Sequence, residues 1–342
     1  MGTVVPETMQ AVQIEHSEGP VLVRRIPVPR PGPGEVLVRI AASPINPSDL
    51  SSLEGSYVGQ KSLPFVPGVE ASGTVVKAGP GLVPSLWMGR RVACAAGQTG
   101  DGAWAEYMAT SAMHCFPLQK SISLEQGATL VVNPMTALAF FAIAKRERHP
   151  AVVSNAAASS LGRMIVRLGR ENGLPIINVV RKKEHVDLLR SLGAEHVLNS
   201  GDAGFNSRLK SVADRFGATL ILDPVGGDCT QVLLENAPFG STVLVYANLG
   251  GRQTLFNPKT LVGENKRIAG FYLANWIASR SLLYTLRDLW QVRRMANSAL
   301  RTTIRKRLPI AAVQDAIDLY RRNMTAGKIL LVPDPEEMVC ND

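Results

Sequence analysis

Residues 151–181 read AVVSNAAASSLGRMIVRLGRENGLPIINVVR, and this stretch predicts the fold class of the whole chain. Residues 151–154 are typical of a short buried strand, and 176–180 form a second apolar run of the same kind. Four apolar residues between the runs recur at the spacing of one helical face: Leu161, Met164, Ile165 and Leu168. Gly173 ends this predicted helix. A strand, a loop of small residues and a helix form the first unit of a nucleotide-binding sheet, where the helix N-terminus attracts a pyrophosphate.

The loop before the helix departs from the usual three-glycine fingerprint, because Gly162 is its one glycine. Alanine and serine are nevertheless small enough to let a phosphate approach the backbone. We expect Ser159, Ser160 and Gly162 to hold a pyrophosphate. The alternative is a buried turn from strand to helix that binds nothing.

Three cations follow the second strand, at the place where an NAD-binding protein normally carries an acid for the ribose hydroxyls. They are Arg181, Lys182 and Lys183. Guanidinium and ammonium groups attract a 2′-phosphate that a carboxylate would repel, so the pattern favours NADPH over NADH. For the two lysines the alternative is a solvated basic turn.

The composition is that of an ordinary globular protein, with 46% hydrophobic and 19% charged residues in 342. The net charge of +9 suits anionic ligands. Long basic runs with interleaved aromatic residues are absent, so we expect no nucleic-acid partner. Residues 127–144 are strongly apolar, but Asn133 and Pro134 interrupt them. The segment therefore predicts a buried core helix and no membrane span.

The N-terminal residues lack the features of a secretory signal or a transit peptide, which predicts a cytoplasmic location. The cysteines are widely spaced, with no C-x-x-C pair: Cys94, Cys115, Cys229 and Cys340. This spacing excludes a recognisable structural zinc knuckle and fits reduced thiols.

The chain divides into three parts that differ in their sequence patterns. Residues 1–120 hold short β-rich runs punctuated by glycine and proline, which predicts a small barrel. Residues 121–285 alternate strands with helices and predict a doubly wound sheet, with strands at 151–154, 176–180, 196–199, 218–222, 241–246 and 267–273. Residues 286–342 contain an Arg-rich amphipathic helix, a helix near 313–320 and a closing strand at 328–332.

Several phrases together resemble the medium-chain dehydrogenase/reductase superfamily over nearly the whole length. They are INPSD at 45–49, GSY at 55–57, NPMTA at 133–137, INVVR at 177–181, SLGAEHV at 191–197, VGG at 225–227 and GFYLANW at 270–276. Within that superfamily the chain resembles the zinc-independent 2-enoyl thioester reductases and quinone oxidoreductases. The resemblance implies an α/β fold: a GroES-like β-barrel domain at 1–120, a Rossmann NADPH-binding domain with a six-stranded parallel sheet at 121–285, and a C-terminal return at 286–342 that completes the first domain.

A catalytic zinc site is not expected. Zinc-dependent relatives place a cysteine where Pro47 stands and a histidine where Val69 stands. Without a thiolate and an imidazole the tetrahedral set is incomplete. The expected chemistry is therefore hydride transfer from NADPH to an electron-poor carbon, which needs orientation and stabilisation of developing negative charge.

The resemblance also implies individual roles. Tyr57 is expected to donate a proton and Asn46 to orient the substrate, although a tyrosine in this loop also occurs in quinone oxidoreductases. The expected cofactor-binding residues are Thr136, Asn155, Ser159, Ser160, Gly162, Arg181, Lys182, Tyr246, Phe271, Leu273 and Lys328. Tyr246 and Phe271 would flank the nicotinamide, or else lie in the core.

The substrate class stays open between an enoyl thioester and a quinone or another enone. Two basic clusters could meet the phosphates of coenzyme A or an acidic carrier, or could be solvated: Arg163, Arg167 and Arg170, and Arg301, Arg305, Lys306 and Arg307. A nucleotide-binding protein without turnover is the hypothesis from another class. Relatives pair through the sixth strand, so we expect a homodimer that uses 267–273.

Overall fold

A computed structural model describes residues 4–16, 19–55, 62–97 and 100–334. Contacts divide the chain into two compact units. The first unit contains the described residues up to Val132, Val292–Asn297, and the described residues from Arg301 onward. The second contains Asn133–Gln291 and Ser298–Leu300. Segments from both ends of the chain thus build the first unit.

The first unit extends past residue 120 because side chains tie the next segment to it. The Glu70 carboxylate accepts hydrogen bonds from the backbone amides of Val131 and Val132, at 3.0 and 2.9 Å. The Gln126 amide donates to the carbonyl of Thr302 at 2.9 Å. Domain limits at 120/121 and 285/286 stay predictions.

The first segment of the chain forms β1 (Thr8–Gln13), β2 (Leu22–Pro27), β3 (Glu35–Pro44), α1 (Pro47–Leu53), β4 (Glu70–Ala78), α2 (Leu82–Ser85), β5 (Arg91–Ala95), β6 (Tyr107–Ser111), β7 (Cys115–Pro117) and α3 (Leu124–Gly127). The middle segment forms α4 (Val132–Arg146), β8 (Val152–Ser154), α5 (Ser160–Asn172), β9 (Ile176–Val180), α6 (Lys183–Ser191), β10 (His196–Asn199), α7 (Phe205–Phe216), β11 (Leu220–Asp223), α8 (Asp228–Glu235), β12 (Thr242–Val245), α9 (Pro258–Gly263), β13 (Arg267–Gly270), α10 (Leu273–Ala278) and α11 (Leu282–Met295). The last segment forms β14 (Ile304–Pro309), α12 (Val313–Arg322) and β15 (Lys328–Val332).

The first unit is built on a mixed sheet with the strand order β14-β15-β3-β4-β5-β7, in which β6 also pairs with β3. β14 and β15 are parallel, and the other pairs are antiparallel. The basic cluster at residues 301–307 falls largely within β14, which the sequence did not predict. Its Arg and Lys side chains lie on an edge strand, where charge discourages further pairing.

β3 is buried on both faces, which explains its central place in the sheet. Val36, Val38 and Ile40 lie in one apolar cluster, as their alternation predicts. Leu37 points the other way and packs in a second cluster with Trp104 and residues of α12. The strand therefore joins two parts of the core of the first unit.

The second unit is built on a six-stranded sheet in the order β10-β9-β8-β11-β12-β13, and every pair is parallel. Numbered from β8 as the first strand, this is the doubly wound order 3-2-1-4-5-6. The predicted six-stranded parallel sheet is confirmed. In such a sheet the chain reverses its winding next to the first strand, where a crevice forms at the carboxyl ends.

The opening stretch folds as predicted. α5 begins at Ser160, its apolar face is buried, and Gly173 ends it with a left-handed φ of 63°. β9 has the predicted bounds, and all five of its residues are buried. The prediction of a strand at 267–273 is wrong beyond Gly270, since Leu273 opens α10. The pairing of β13 with β12 ends at Gly270, and the next residue, Phe271, packs its ring against Phe140 with centroids 4.9 Å apart.

α4 contains most of the apolar segment 127–144, and nine of its side chains are buried. Within the described residues, no helix is both long enough and apolar enough to cross a membrane. The prediction of a core helix is therefore confirmed.

Candidate functional site

The loop between β8 and α5 uses its small residues in three different ways. The Ser159 hydroxyl caps α5 by accepting a hydrogen bond from the amide of Gly162 at 3.1 Å. A Cβ added to Gly162 would lie 2.3 Å from the carbonyl oxygen of Ala157, so only glycine fits there. Ser160 is half-buried and opens the helix. Across the described residues, the first-turn amides of Ser160 and Leu161 have no backbone acceptor, which leaves them for an anion.

The buried carboxylate of Asp223 is hydrogen-bonded to this loop. The Asn155 side chain donates to Asp223 at 2.9 Å and accepts from the amide of Ala156 at 2.9 Å. Asp223, the last residue of β11, also accepts from the amide of Val225 and from the hydroxyl of Thr230. Sequence reasoning missed Asp223, although an acid that ends an apolar strand, as in LILD at 220–223, was the available signal.

Arg181 follows β9 directly and is exposed at the carboxyl end of that strand. Lys182 lies at the N-terminus of α6, and its ammonium is 3.4 Å from the Glu184 carboxylate. Arg181 is close enough to the Cys229 thiol to act on its pKa, which burial and two nearby aspartates raise and Arg181 lowers.

Aromatic side chains gather where β12 and β13 end. Phe140 of α4 packs against both Tyr246 and Phe271, with ring centroids 5.0 and 4.9 Å apart. Burial, with the charge of Asp223, raises the pKa of the Tyr246 phenol, so the group stays neutral. Leu273 lies just beyond in α10, and Thr136 is buried in α4. Tyr246 and Phe271 are thus brought together, and their contact with a nicotinamide stays a prediction.

The first unit contains a separate network of buried charges. Asn46, Asp49, Glu70 and Lys328 are each at most 1% exposed. The Lys328 ammonium donates to the Asn46 side-chain oxygen and to the carbonyl of Ile45, and the Asn46 amide donates to Glu70 at 3.1 Å. Because an ammonium group only donates, the amide oxygen must face Lys328 and its NH2 must face Glu70. The orientation of Asn46 is therefore fixed, and among the described residues the second N–H of its amide has no hydrogen-bond acceptor.

The acids of this network titrate abnormally. Burial is the main cause that raises the pKa of Asp49 from 3.8 to about 7, against the lowering effects of two backbone amides and Lys328. Burial also raises the pKa of Glu70 and lowers that of Lys328, while the opposite charges partly offset both shifts. Lys328, expected to bind a cofactor, therefore has its ammonium committed to Asn46. Glu70 and Asp49 were missed as members of a site, although INPSD carries Asp49.

The two basic clusters are largely occupied by protein groups. Arg163, Arg167 and Arg170 donate to the backbone carbonyls of Ala158, Arg163 and Leu192, respectively. Arg307 forms an ion pair with Glu125. Both clusters therefore have structural contacts, and their binding of substrate phosphates stays a prediction. Tyr57 lies outside the described residues.

Two family models match the chain: the alcohol dehydrogenase GroES-like domain at residues 32–120 and zinc-binding dehydrogenase at residues 160–289. Human mitochondrial enoyl-[acyl-carrier-protein] reductase is 28% identical over 311 residues, 87% of this chain and 80% of the relative. The structure of a candidate NADPH:quinone reductase from Mesorhizobium loti is 30% identical, with a TM-score of 0.87 over 96% of this chain and 100% of that one. A second such structure, from Bacillus thuringiensis, is 25% identical, with a TM-score of 0.85 over 96% and 99%.

The chain belongs to the zinc-independent medium-chain dehydrogenase/reductase superfamily.

As a member of this superfamily, the protein is an oxidoreductase with a GroES-like domain and a Rossmann domain. One matching model is named for zinc, but Pro47 and Val69 occupy the positions that the resemblance assigns to a thiolate and an imidazole. Among the described residues, no group of three or more His, Cys, Asp or Glu side chains is placed to hold a metal ion.

The network predicts a pH dependence of stability in this reductase. The native state keeps a proton on Asp49 that the unfolded chain releases, since the native pKa is about 7 and the ordinary value is 3.8. Stability should therefore fall as the pH rises from about 4 to about 7, and level off above that. The midpoint of denaturant unfolding, measured at several pH values, checks this.

Asp49→Asn provides the control for that measurement. The variant should be less stable, because an asparagine has one side-chain oxygen and can accept a hydrogen bond from only one of the two backbone amides that donate to Asp49, those of Asn46 and Val69. The dependence of its stability on pH should be shallower in this window. An unchanged slope in Asp49→Asn would contradict the assignment.

Proposed function

We propose that this protein reduces the electron-poor double bond of a 2-enoyl thioester with NADPH. The observation that carries the proposal is the fixed amide of Asn46, whose oxygen is engaged by Lys328 and whose NH2 has one hydrogen beyond the bond to Glu70. A preorganised N–H of this kind stabilises negative charge that develops on a carbonyl oxygen. The 28% identity with human mitochondrial enoyl-[acyl-carrier-protein] reductase supports the thioester class.

The residues of the second unit fit a nicotinamide dinucleotide. Gly162 permits the close packing of α5 on the loop, and the first-turn amides of α5 would hold the pyrophosphate. Ser159 and Ser160 would line the same turn, with Asn155 beneath it. Arg181 would pair with the 2′-phosphate that distinguishes NADPH.

The proposed chemistry asks for three things of the chain's own residues. NADPH supplies the hydride when bound. Asn46 donates its remaining N–H to the thioester oxygen as the β-carbon accepts the hydride, and Tyr57 then delivers a proton to the α-carbon. The packed rings of Phe140, Tyr246 and Phe271 would shield a bound nicotinamide from water.

A quinone or generic enone is the second candidate acceptor. It is favoured by the candidate NADPH:quinone reductase from Mesorhizobium loti, at 30% identity over 96% of this chain. A quinone also has a carbonyl oxygen for Asn46 to polarise. A protein that binds NADPH without turnover is the remaining alternative, which tight binding with no reduction of any acceptor would favour.

We also propose a homodimer that pairs through β13. This strand is at the edge of the parallel sheet, and Leu255, Phe256 and Val262 are exposed apolar side chains of the same unit. Light scattering at several concentrations tests the pairing. A cytoplasmic location stays a prediction.

Removal of the Arg181 guanidinium tests the cofactor preference. Arg181→Ala should raise the KM for NADPH by about ten- to a hundredfold, because a charge-assisted hydrogen bond contributes about 1.5–3 kcal/mol. The KM for NADH should change little. Arg190→Ala removes the same charge from the exposed surface of α6 and is the control. Equal losses with both cofactors would contradict the assignment.

A panel of acceptors tests the reaction itself. Crotonyl-CoA, longer 2-enoyl-CoA esters and quinones are compared by following NADPH absorbance. We expect turnover of enoyl-CoA, and a sharp loss of that rate in Tyr57→Phe with quinone rates almost unchanged, since quinone reduction does not require this proton donor. Reduction of quinones with no activity on any enoyl-CoA would overturn the leading proposal in favour of the second.

A further inference from the structure

Ala156 adopts a backbone conformation that is unusual for a residue with a Cβ. Its φ is 50°, in the left-handed region that glycine favours. It lies in the loop between β8 and α5, two residues before the Ala158-Ser159 entry to the helix. Something outside the residue must therefore hold this part of the loop in place.

Asn155 supplies that restraint through both ends of its amide. The oxygen accepts from the backbone amide of Ala156 at 2.9 Å, and the nitrogen donates to Asp223 at 2.9 Å. The Asn155 backbone amide also donates to the carbonyl of Leu222 at 3.0 Å. A carboxylate only accepts, so Asp223 forces the NH2 of Asn155 toward itself and the oxygen toward Ala156.

Asp223 connects this loop to two other parts of the sheet edge. It is fully buried, and it also accepts from the amide of Val225 at 2.9 Å and from the Thr230 hydroxyl at 2.5 Å. Val225 precedes two glycines with left-handed φ, and Thr230 belongs to α8. The backbone carbonyl of Asp223 accepts from the amide of Tyr246, after β12.

We propose that Asp223 is a positioning residue for the pyrophosphate of a bound nicotinamide dinucleotide, acting through Asn155 on the conformation of Ala156. The proposal rests on the proposed cofactor binding. Asp223 is fully buried and its carboxylate accepts hydrogen bonds from three protein groups, so it would not touch the cofactor itself. Its effect is to aim the first-turn amides of α5, which would otherwise move with the loop.

Two substitutions separate the hydrogen bonds of Asp223 from its charge. Asp223→Ala should raise the Kd of the cofactor, measured by fluorescence titration, by about tenfold or more, with kcat at saturation within about threefold. Asp223→Asn should bind within about threefold of the wild type, because the amide oxygen still accepts from Asn155 and Val225 and its NH2 donates to Thr230. Asp214→Ala, an exposed acid on α7, is the control.

The choice of cofactor distinguishes this proposal from the proposed function. Pyrophosphate is common to NADH and NADPH, so Asp223→Ala should weaken both by the same factor, whereas Arg181→Ala should weaken NADPH alone. If wild-type protein prefers NADH, the assignment of NADPH fails while the positioning role is still tested by NADH.

A rescue experiment tests the route through Ala156. Glycine adopts a left-handed φ without strain. The double variant Asp223→Ala with Ala156→Gly should therefore bind the cofactor with a Kd at least threefold lower than that of Asp223→Ala alone. If Asp223→Ala does not fold, Asn155→Ala breaks the same link and should weaken both cofactors equally. A lower melting temperature with unchanged Kd for both cofactors in these variants would overturn the proposal, as would the absence of any rescue by Ala156→Gly.

Discussion

The first unit depends on one buried lysine that shares a hydrogen-bonded network with two buried acids. Asn46 connects Lys328 to both acids, because its side chain bonds to Lys328 and Glu70 and its backbone amide donates to Asp49. Burial of an unpaired charge costs several kcal/mol, so removal of either Lys328 or Glu70 would leave the other group without its compensating charge. Glu70 also holds the amides of Val131 and Val132, which end the segment that leaves the unit. The same charges that keep Asn46 in one orientation therefore also fix where the chain departs for the second sheet.

The second unit solves a similar problem with a single acid. Asp223 needs no cation, because three neutral donors surround its carboxylate. Those donors come from the loop after β8, the turn after β11 and the helix α8, so one side chain sets the relative positions of three segments. A loop with few glycines can therefore keep a residue such as Ala156 at a positive φ, because neighbouring hydrogen bonds offset the strain that a glycine would not have.

Much of the fold could be predicted because the decisive signals are local. The helical spacing of Leu161 to Leu168 and the apolar run of β9 specify a strand, a helix and a strand without reference to the rest of the chain. β14 was missed because its Arg and Lys residues resemble a solvated surface, and only the pairing with β15 makes it a strand. The hydrogen bonds of Lys328 could not be predicted for a related reason. Its partners, Ile45 and Asn46, are more than 280 positions away, and no pattern in the sequence encodes that contact. Its expected contact with a cofactor stays a prediction. The acid at the end of the apolar run LILD was a local signal for Asp223, but no local pattern identified the three groups that donate hydrogen bonds to it.

The position of Lys328 after the second sheet in the chain has a consequence for biosynthesis. Glu70 and Asp49 leave the ribosome before the second sheet, but the strand that brings Lys328, β15, follows all six strands of that sheet in the chain. Until then, the end of β3 at Ser43 and Pro44 lacks its pairing with β15, and the two acids lack the lysine that shares their site. The strands of the second sheet all lie within the middle segment, so their pairing does not depend on β15. During translation all six strands of the second sheet are therefore available for pairing before the strand that carries Lys328 has been made.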